Sequence, residues 1–154
     1  MKKVKVLWAI ALGLLYVVLV SFISALIIDT SSQWYLELAK PHFMPPAIVF
    51  PVVWSIVYII FTLTISEMLA KKPEKGIIIA YIILGLVNIC YLASFFRGHS
   101  TVAGLIFCII GVLVSCYISY RLIKSNFKFS YLFVLVTLWY LFASILSYNV
   151  VLLN

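Results

Sequence analysis

Long apolar runs separated by short polar or basic stretches dominate this chain. Approximately 6–28, 47–70, 76–96, 101–123 and 129–153 are apolar on every side, as in GLIFCIIGVLVSCYISY from Gly104 to Tyr120. Helices that are hydrophobic all round belong in a large core or a membrane, and each run meets the roughly 20 residues needed to cross a bilayer as a helix. Membrane-spanning strands would instead alternate apolar and polar positions over about 10 residues. These runs do not alternate, so their backbone must satisfy its hydrogen bonds within each segment, as helix. The pattern predicts an all-α integral membrane fold, a bundle of five transmembrane helices forming one domain over 1–154. Between the first two spans lies a long extramembrane loop of about 18 residues, a length that is usually functional or disordered.

Composition points the same way. With 66% hydrophobic and 10% charged residues and a mean hydropathy of +1.24, a soluble fold of 154 residues has too much apolar surface to hide. The first run begins after MKKVK and contains Ser21, Ser24 and Ala25, which resembles a signal peptide. Signal cores run about 7–15 residues, however, and this one continues from Val6 to Ile28, so it is expected to stay as the first helix. Five crossings place Lys2, Lys3, Lys5, Lys71, Lys72, Lys75, Arg121, Lys124 and Lys128 on one side and only Lys40 and Arg97 on the other. That bias predicts a cytoplasmic N-terminus, with the first loop and the C-terminus outside. It also accounts for the basic charge without a nucleic-acid partner. The short basic start favours a bacterial cytoplasmic membrane.

Conventional chemistry is sparse. Cys90, Cys108 and Cys116 fall inside apolar runs and are expected to be inert buried thiols, with no CxxC or Cys/His spacing for a metal. His42 and His99 are the only histidines; either has the donor for a haem iron, although loop histidines are more often solvated. Asp29 and Glu67 are the carboxylates nearest the spans, both near predicted helix ends, where they are expected to snorkel or meet water. Ion-coupled transport therefore has little to work with.

Aromatic and polar residues at helical spacing carry more information. Phe50, Trp54 and Tyr58 share one face of the second span, and Asn88, Tyr91 and Phe95 one face of the third. Trp139, Ala143, Leu146 and Ser147 form a third stripe on the fifth. Such residues pack helices together or sit in interfacial belts, the reading for Trp8, Tyr16 and Tyr131. Trp54 and Trp139 lie deeper than a belt requires, and a buried indole N–H wants a partner. A pocket between helices is the alternative. On the fourth span, Gly104, Cys108, Gly111 and Ser115 make a stripe of small side chains, for close packing inside the bundle or a homodimer face.

The first loop and the start of the second span, WYLELAKPHFMPP with Phe50, Val53, Trp54 and Tyr58, resemble the signature of the TspO/MBR family, the tryptophan-rich sensory and translocator proteins also called peripheral benzodiazepine receptors. Asn88, Tyr91, Phe95 and Phe96, and Trp139, Phe142, Ala143, Leu146, Tyr148 and Asn154, are similar to the family's third- and fifth-helix patterns. The resemblance implies a five-helix membrane receptor or sensor, commonly dimeric, that binds porphyrins, haem or other hydrophobic molecules beneath the first loop, with no required cofactor. It implies Trp54 and Trp139 as ring contacts, Tyr35 and Pro45 as loop cover, and Ala143 as the small residue that leaves room. Phe50, Tyr58, Asn88, Tyr91, Phe95, Phe142 and Leu146 complete the implied site, and Lys40, Arg97, His42 or Asn88 would meet the propionates. The alternatives are a transporter of porphyrins or amphipathic molecules, or an enzyme degrading porphyrin in light through Trp54 and Trp139. Leu135 and Val136 replace the family's usual Pro-Tyr pair, and Tyr91 replaces a tryptophan. The first removes any kink or hydroxyl contact from that pair; the second, with Phe43 in place of another tryptophan in the loop, bears on that photochemistry.

Overall fold

The computed structural model describes residues 2–154; the Lys2 side chain, counted above among the basic groups, lies outside what is described. The chain folds into α1 (Lys2–Ile27), a short α2 (Gln33–Glu37), α3 (Val49–Lys71), α4 (Lys75–Leu92), a π-helical turn (Ala93–Arg97), α5 (Thr101–Lys124) and α6 (Leu132–Leu153). Five of these, counting α4 with its π turn as one span, are long and apolar enough to cross a membrane. The predicted spans are recovered within a few residues. α1 starts earlier than expected because nothing in KKVK breaks a helix. α3 starts later, since Met44 and Val49 close turns onto the carbonyls of Pro41 and Pro46 before regular helix begins. α6 begins at Leu132 rather than 129, because the preceding residues close tight turns instead, Ser130 N–H on the Phe127 carbonyl and Leu132 N–H on that of Phe129.

The long helices form a ring in the order α3–α1–α4–α5–α6. Packing is dense between α1 and α3, between α4 and α5, and between α5 and α6, and sparse where α1 meets α4 and α3 meets α6. Smooth surfaces allow the dense contacts. A Cβ added at Gly111 would lie 2.7 Å from the Tyr140 ring, and one at Gly104 3.2 Å from Phe95, while Cys108 faces Ser147 at 3.4 Å. The small-residue stripe is thus consumed inside the bundle, and it is not a free dimer face.

At the N-terminal half of the bundle, Phe61, Tyr81 and Phe133 pack as a triad with ring centroids 5.6–5.7 Å apart, Phe61 stacked on Phe133 and Tyr81 edge-on to both. The Tyr81 and Thr64 hydroxyls share a 2.6 Å hydrogen bond, which satisfies two polar atoms in an apolar interior. Tyr16 donates to the Tyr81 carbonyl at 2.7 Å. It therefore belongs to the interior rather than to a belt, while Trp8 and Tyr131 are exposed as expected.

Two further expectations are corrected. Glu67 neither snorkels nor meets water: it is 8% exposed, and its carboxylate accepts from Lys128 N–H at 2.7 Å and Phe129 N–H at 2.9 Å beside the Lys71 ammonium. A helix-end carboxylate was available to bind the α5–α6 turn, whose N–H groups would otherwise lack partners. Of the cysteines only Cys108 is buried; Cys90 and Cys116 lie on outward faces of α4 and α5, where an apolar surround is lipid rather than protein. Asp29, in the loop, behaves as expected: the Ser31 hydroxyl at 2.8 Å and N–H at 3.1 Å hold its carboxyl below the usual range. On the opposite side, Ser125 and Arg121, each 2.6 Å from Glu74, do the same for that carboxyl.

Candidate functional site

A second set of aromatic residues gathers in the half of the bundle beneath the first loop, in three layers. At mid-depth, Trp54 lies 5.7 Å from Tyr58 and edge-on to Tyr140 at 6.1 Å. Trp139, beside Tyr140 in sequence, meets Phe50 at 6.0 Å and Phe142 at 5.5 Å. The i, i+4 stripe on α3 thus divides its partners: Trp54 and Tyr58 turn into the bundle, and Phe50 turns to the α3–α6 seam. That seam holds an apolar groove of about 440 Å³, lined by Pro45, Val49, Val53, Leu135, Leu138, Trp139 and Phe142. It is an open seam rather than an enclosed pocket, since Leu135 and Leu138 on its rim are exposed on the outer face.

A polar layer stands above. Asn88 on α4 is buried and donates to Ser24 Oγ on α1 at 3.4 Å, and Tyr58 lies beside the same serine. Tyr91 stacks on Phe95 at 5.8 Å and adjoins Ser147 and Cys108. Leu146 is buried on α6 and Ala143 half-buried one turn beyond Trp139. The predicted stripes on α4 and α6 therefore each face more than one neighbour.

The cover is the loop. Ser32 caps α2 by accepting from Tyr35 N–H, setting a single turn that points Trp34 and Tyr35 downward. Trp34 stacks on His99 with ring centroids 4.7 Å apart and meets Phe95 edge-on at 5.1 Å; Tyr35 reaches Phe95 and Phe96. Burial here pushes the Tyr35 phenol pKa upward by disfavouring its anion. Lys40 donates to the Tyr35 carbonyl at 2.6 Å and sits 4.5 Å over its ring, and Arg97 donates to the Leu26 carbonyl at 3.0 Å. Both cations proposed for propionates thus already hold main-chain carbonyls. His42 is exposed against Phe43, and no cluster of three metal-ligating side chains occurs among the described residues.

Two residues of the site escape a reading of the sequence: Tyr140 packs directly on Trp54, and Ser24 binds the Asn88 amide. Tyr140 has a legible signal, a large side chain beside Trp139 with glycines on the neighbouring span; Ser24 has none. The Tyr140 hydroxyl and the Trp139 Nε1 are buried without a hydrogen-bond partner among the described residues. An unpaired buried hydroxyl costs about 1–3 kcal/mol. Tyr140→Phe is therefore expected to leave stability unchanged or raise it by up to about 1 kcal/mol, whereas Tyr81→Phe, which breaks the Thr64 bond, lowers it by about 1 kcal/mol. Unfolding in detergent checks both; a loss from Tyr140→Phe equal to that from Tyr81→Phe would mean the Tyr140 hydroxyl has a partner.

A model of the TspO/MBR family aligns with residues 9–153, which takes in the first loop and all but the start of the first span. The chain belongs to the TspO/MBR family. It is similar to Tryptophan-rich protein TspO of Chlorobaculum tepidum, 29% identical over 128 residues that cover 80% of this chain and 81% of that one. Protein CrtK of Rhodobacter capsulatus is 27% identical over 134 residues, 82% of each chain. With five apolar spans, this TspO/MBR member is an integral membrane protein, consistent with a lipid bilayer environment.

Proposed function

We propose that this protein is a membrane receptor or sensor for porphyrins or related flat tetrapyrroles, held in the loop-side half of the bundle with the N-terminus cytoplasmic and the loop outside, in a bacterial cytoplasmic membrane. The observation that carries the reading is the grouping of Trp54 with Tyr58 and Tyr140, and of Trp139 with Phe50, in the half of the bundle beneath a loop that adds Trp34 and Tyr35. Aromatic planes and an apolar groove suit a broad π-system that water solvates poorly. The unpartnered Trp139 N–H supplies a donor that a carbonyl or carboxylate acceptor would satisfy.

Titration of the purified protein with protoporphyrin, read by porphyrin absorbance so that loss of a tryptophan does not distort the signal, tests this. Trp54→Phe and Trp139→Phe are each expected to raise Kd roughly three- to tenfold, the size of a lost aromatic contact. Unchanged affinity in both variants would remove the assigned pocket.

A further inference from the structure

We infer that the Asn154 carboxamide is a positioning residue, a latch that holds the loop segment 34–40 down on the bundle and so sets how fast a ligand enters and leaves. The inference rests on the ligand reading above for its kinetic consequence, and on geometry alone for the latch.

Asn154 Oδ1 accepts from Ala39 N–H at 2.9 Å, and Asn154 Nδ2 donates to Ala39 O at 3.0 Å. Both main-chain groups of one residue are thus held by one side chain 115 positions away, as a neighbouring strand would hold them. Nδ2 also donates to Val150 O at 2.8 Å, one turn back, which fixes the orientation of the amide. The arrangement requires an acceptor and a donor at the same distance from the helix. Aspartate lacks the donor, and glutamine carries the pair one carbon further out.

Beneath this bond Leu38 and Val150 are buried in one cluster with Phe95, so the latch closes over an apolar contact. The loop segment is braced internally by Lys40, which donates to the carbonyls of Tyr35 and Leu38. The same segment carries Trp34 and Tyr35, so a latch on Ala39 bears on both. Ala39 and Asn154 are themselves exposed. Water competes for hydrogen bonds in such a place, so their net strength is modest and the bond is reversible. That is the property a latch needs and a weld lacks.

Two measurements on the full chain in detergent micelles test this. Hydrogen exchange of the ligand-free protein is expected to show faster exchange at the Ala39 amide in Asn154→Ala, with the middle of α6 unaffected. Stopped-flow binding of protoporphyrin is expected to show both association and dissociation accelerated, roughly tenfold, with Kd moving far less. Asn154→Asp, keeping the acceptor alone, falls between. Unchanged exchange at Ala39 overturns the latch. Faster exchange with an unchanged or slower association rate overturns its gating role, because a merely structural defect weakens binding without speeding entry. If protoporphyrin does not bind the wild-type protein, the proposed function fails while the exchange result still decides the latch.

Discussion

Glu67→Ala is expected to lower the stability of the bundle by about 2–4 kcal/mol, the cost of leaving two part-buried donors unpaired. The loss does not come mainly from Lys71, whose side chain is 60% exposed and whose ion pair is screened by water. It comes from the N–H groups of Lys128 and Phe129, which point at the carboxylate and have no helix to join, because α6 begins only at Leu132. Left unpaired, each would cost about 1–3 kcal/mol unless the turn opened to water. Opening it would shift Phe133 and with it the triad of Phe61 and Tyr81. Glu67→Gln retains one acceptor oxygen and is expected to lose about half as much. Unfolding by heat or by denaturing detergent measures both, and an alanine variant within ~0.5 kcal/mol of wild type, no more than an ordinary surface change, would show that the carboxylate does not hold the turn.

Gly111→Val is expected to cost about 3 kcal/mol through overpacking. The first carbon alone would stand 2.7 and 2.8 Å from Cδ1 and Cε1 of Tyr140, closer than nonbonded carbons approach. The ring has little room to retreat: Tyr140 is 6% exposed and Trp54 packs against it edge-on. Relief should come from trimming the ring. In a double-mutant cycle, Tyr140→Leu is expected to recover most of the loss in the Gly111→Val background, a coupling that independent sites would not show. Strictly additive losses would mean that the valine is accommodated elsewhere.

Much of this architecture is legible in the sequence because a membrane removes alternatives. A run that is apolar all round has one backbone solution in lipid, so the five spans can be placed to within a few residues. The stripe of Phe50, Trp54 and Tyr58 is legible for the same reason that i and i+4 share a helix face. What each face meets is not. Asn88 binds Ser24 and Tyr91 turns to Ser147, because adjacency between helices depends on ring order and depth, and neither leaves a local trace. Glu67 misleads on similar grounds: its nearness to a helix end suggests water, yet the α5–α6 turn lies there, 61 residues later in the chain. Cys90 and Cys116 illustrate a limit of hydrophobicity itself in lipid, where apolar surroundings do not mean the protein interior.

The uneven packing of the ring has a mechanical consequence. α1 with α3 makes one stiff arm, and α4, α5 and α6 make the other; between the arms contacts are few. The Phe61–Tyr81–Phe133 triad and the Glu67 clamp join the arms near the N-terminal side, while at the far end the loop crosses from one arm to the other. Between those two ends the arms meet side chain to side chain, through Trp54 on Tyr140, Phe50 on Trp139 and Asn88 on Ser24, so anything that spreads the arms must part those same contacts.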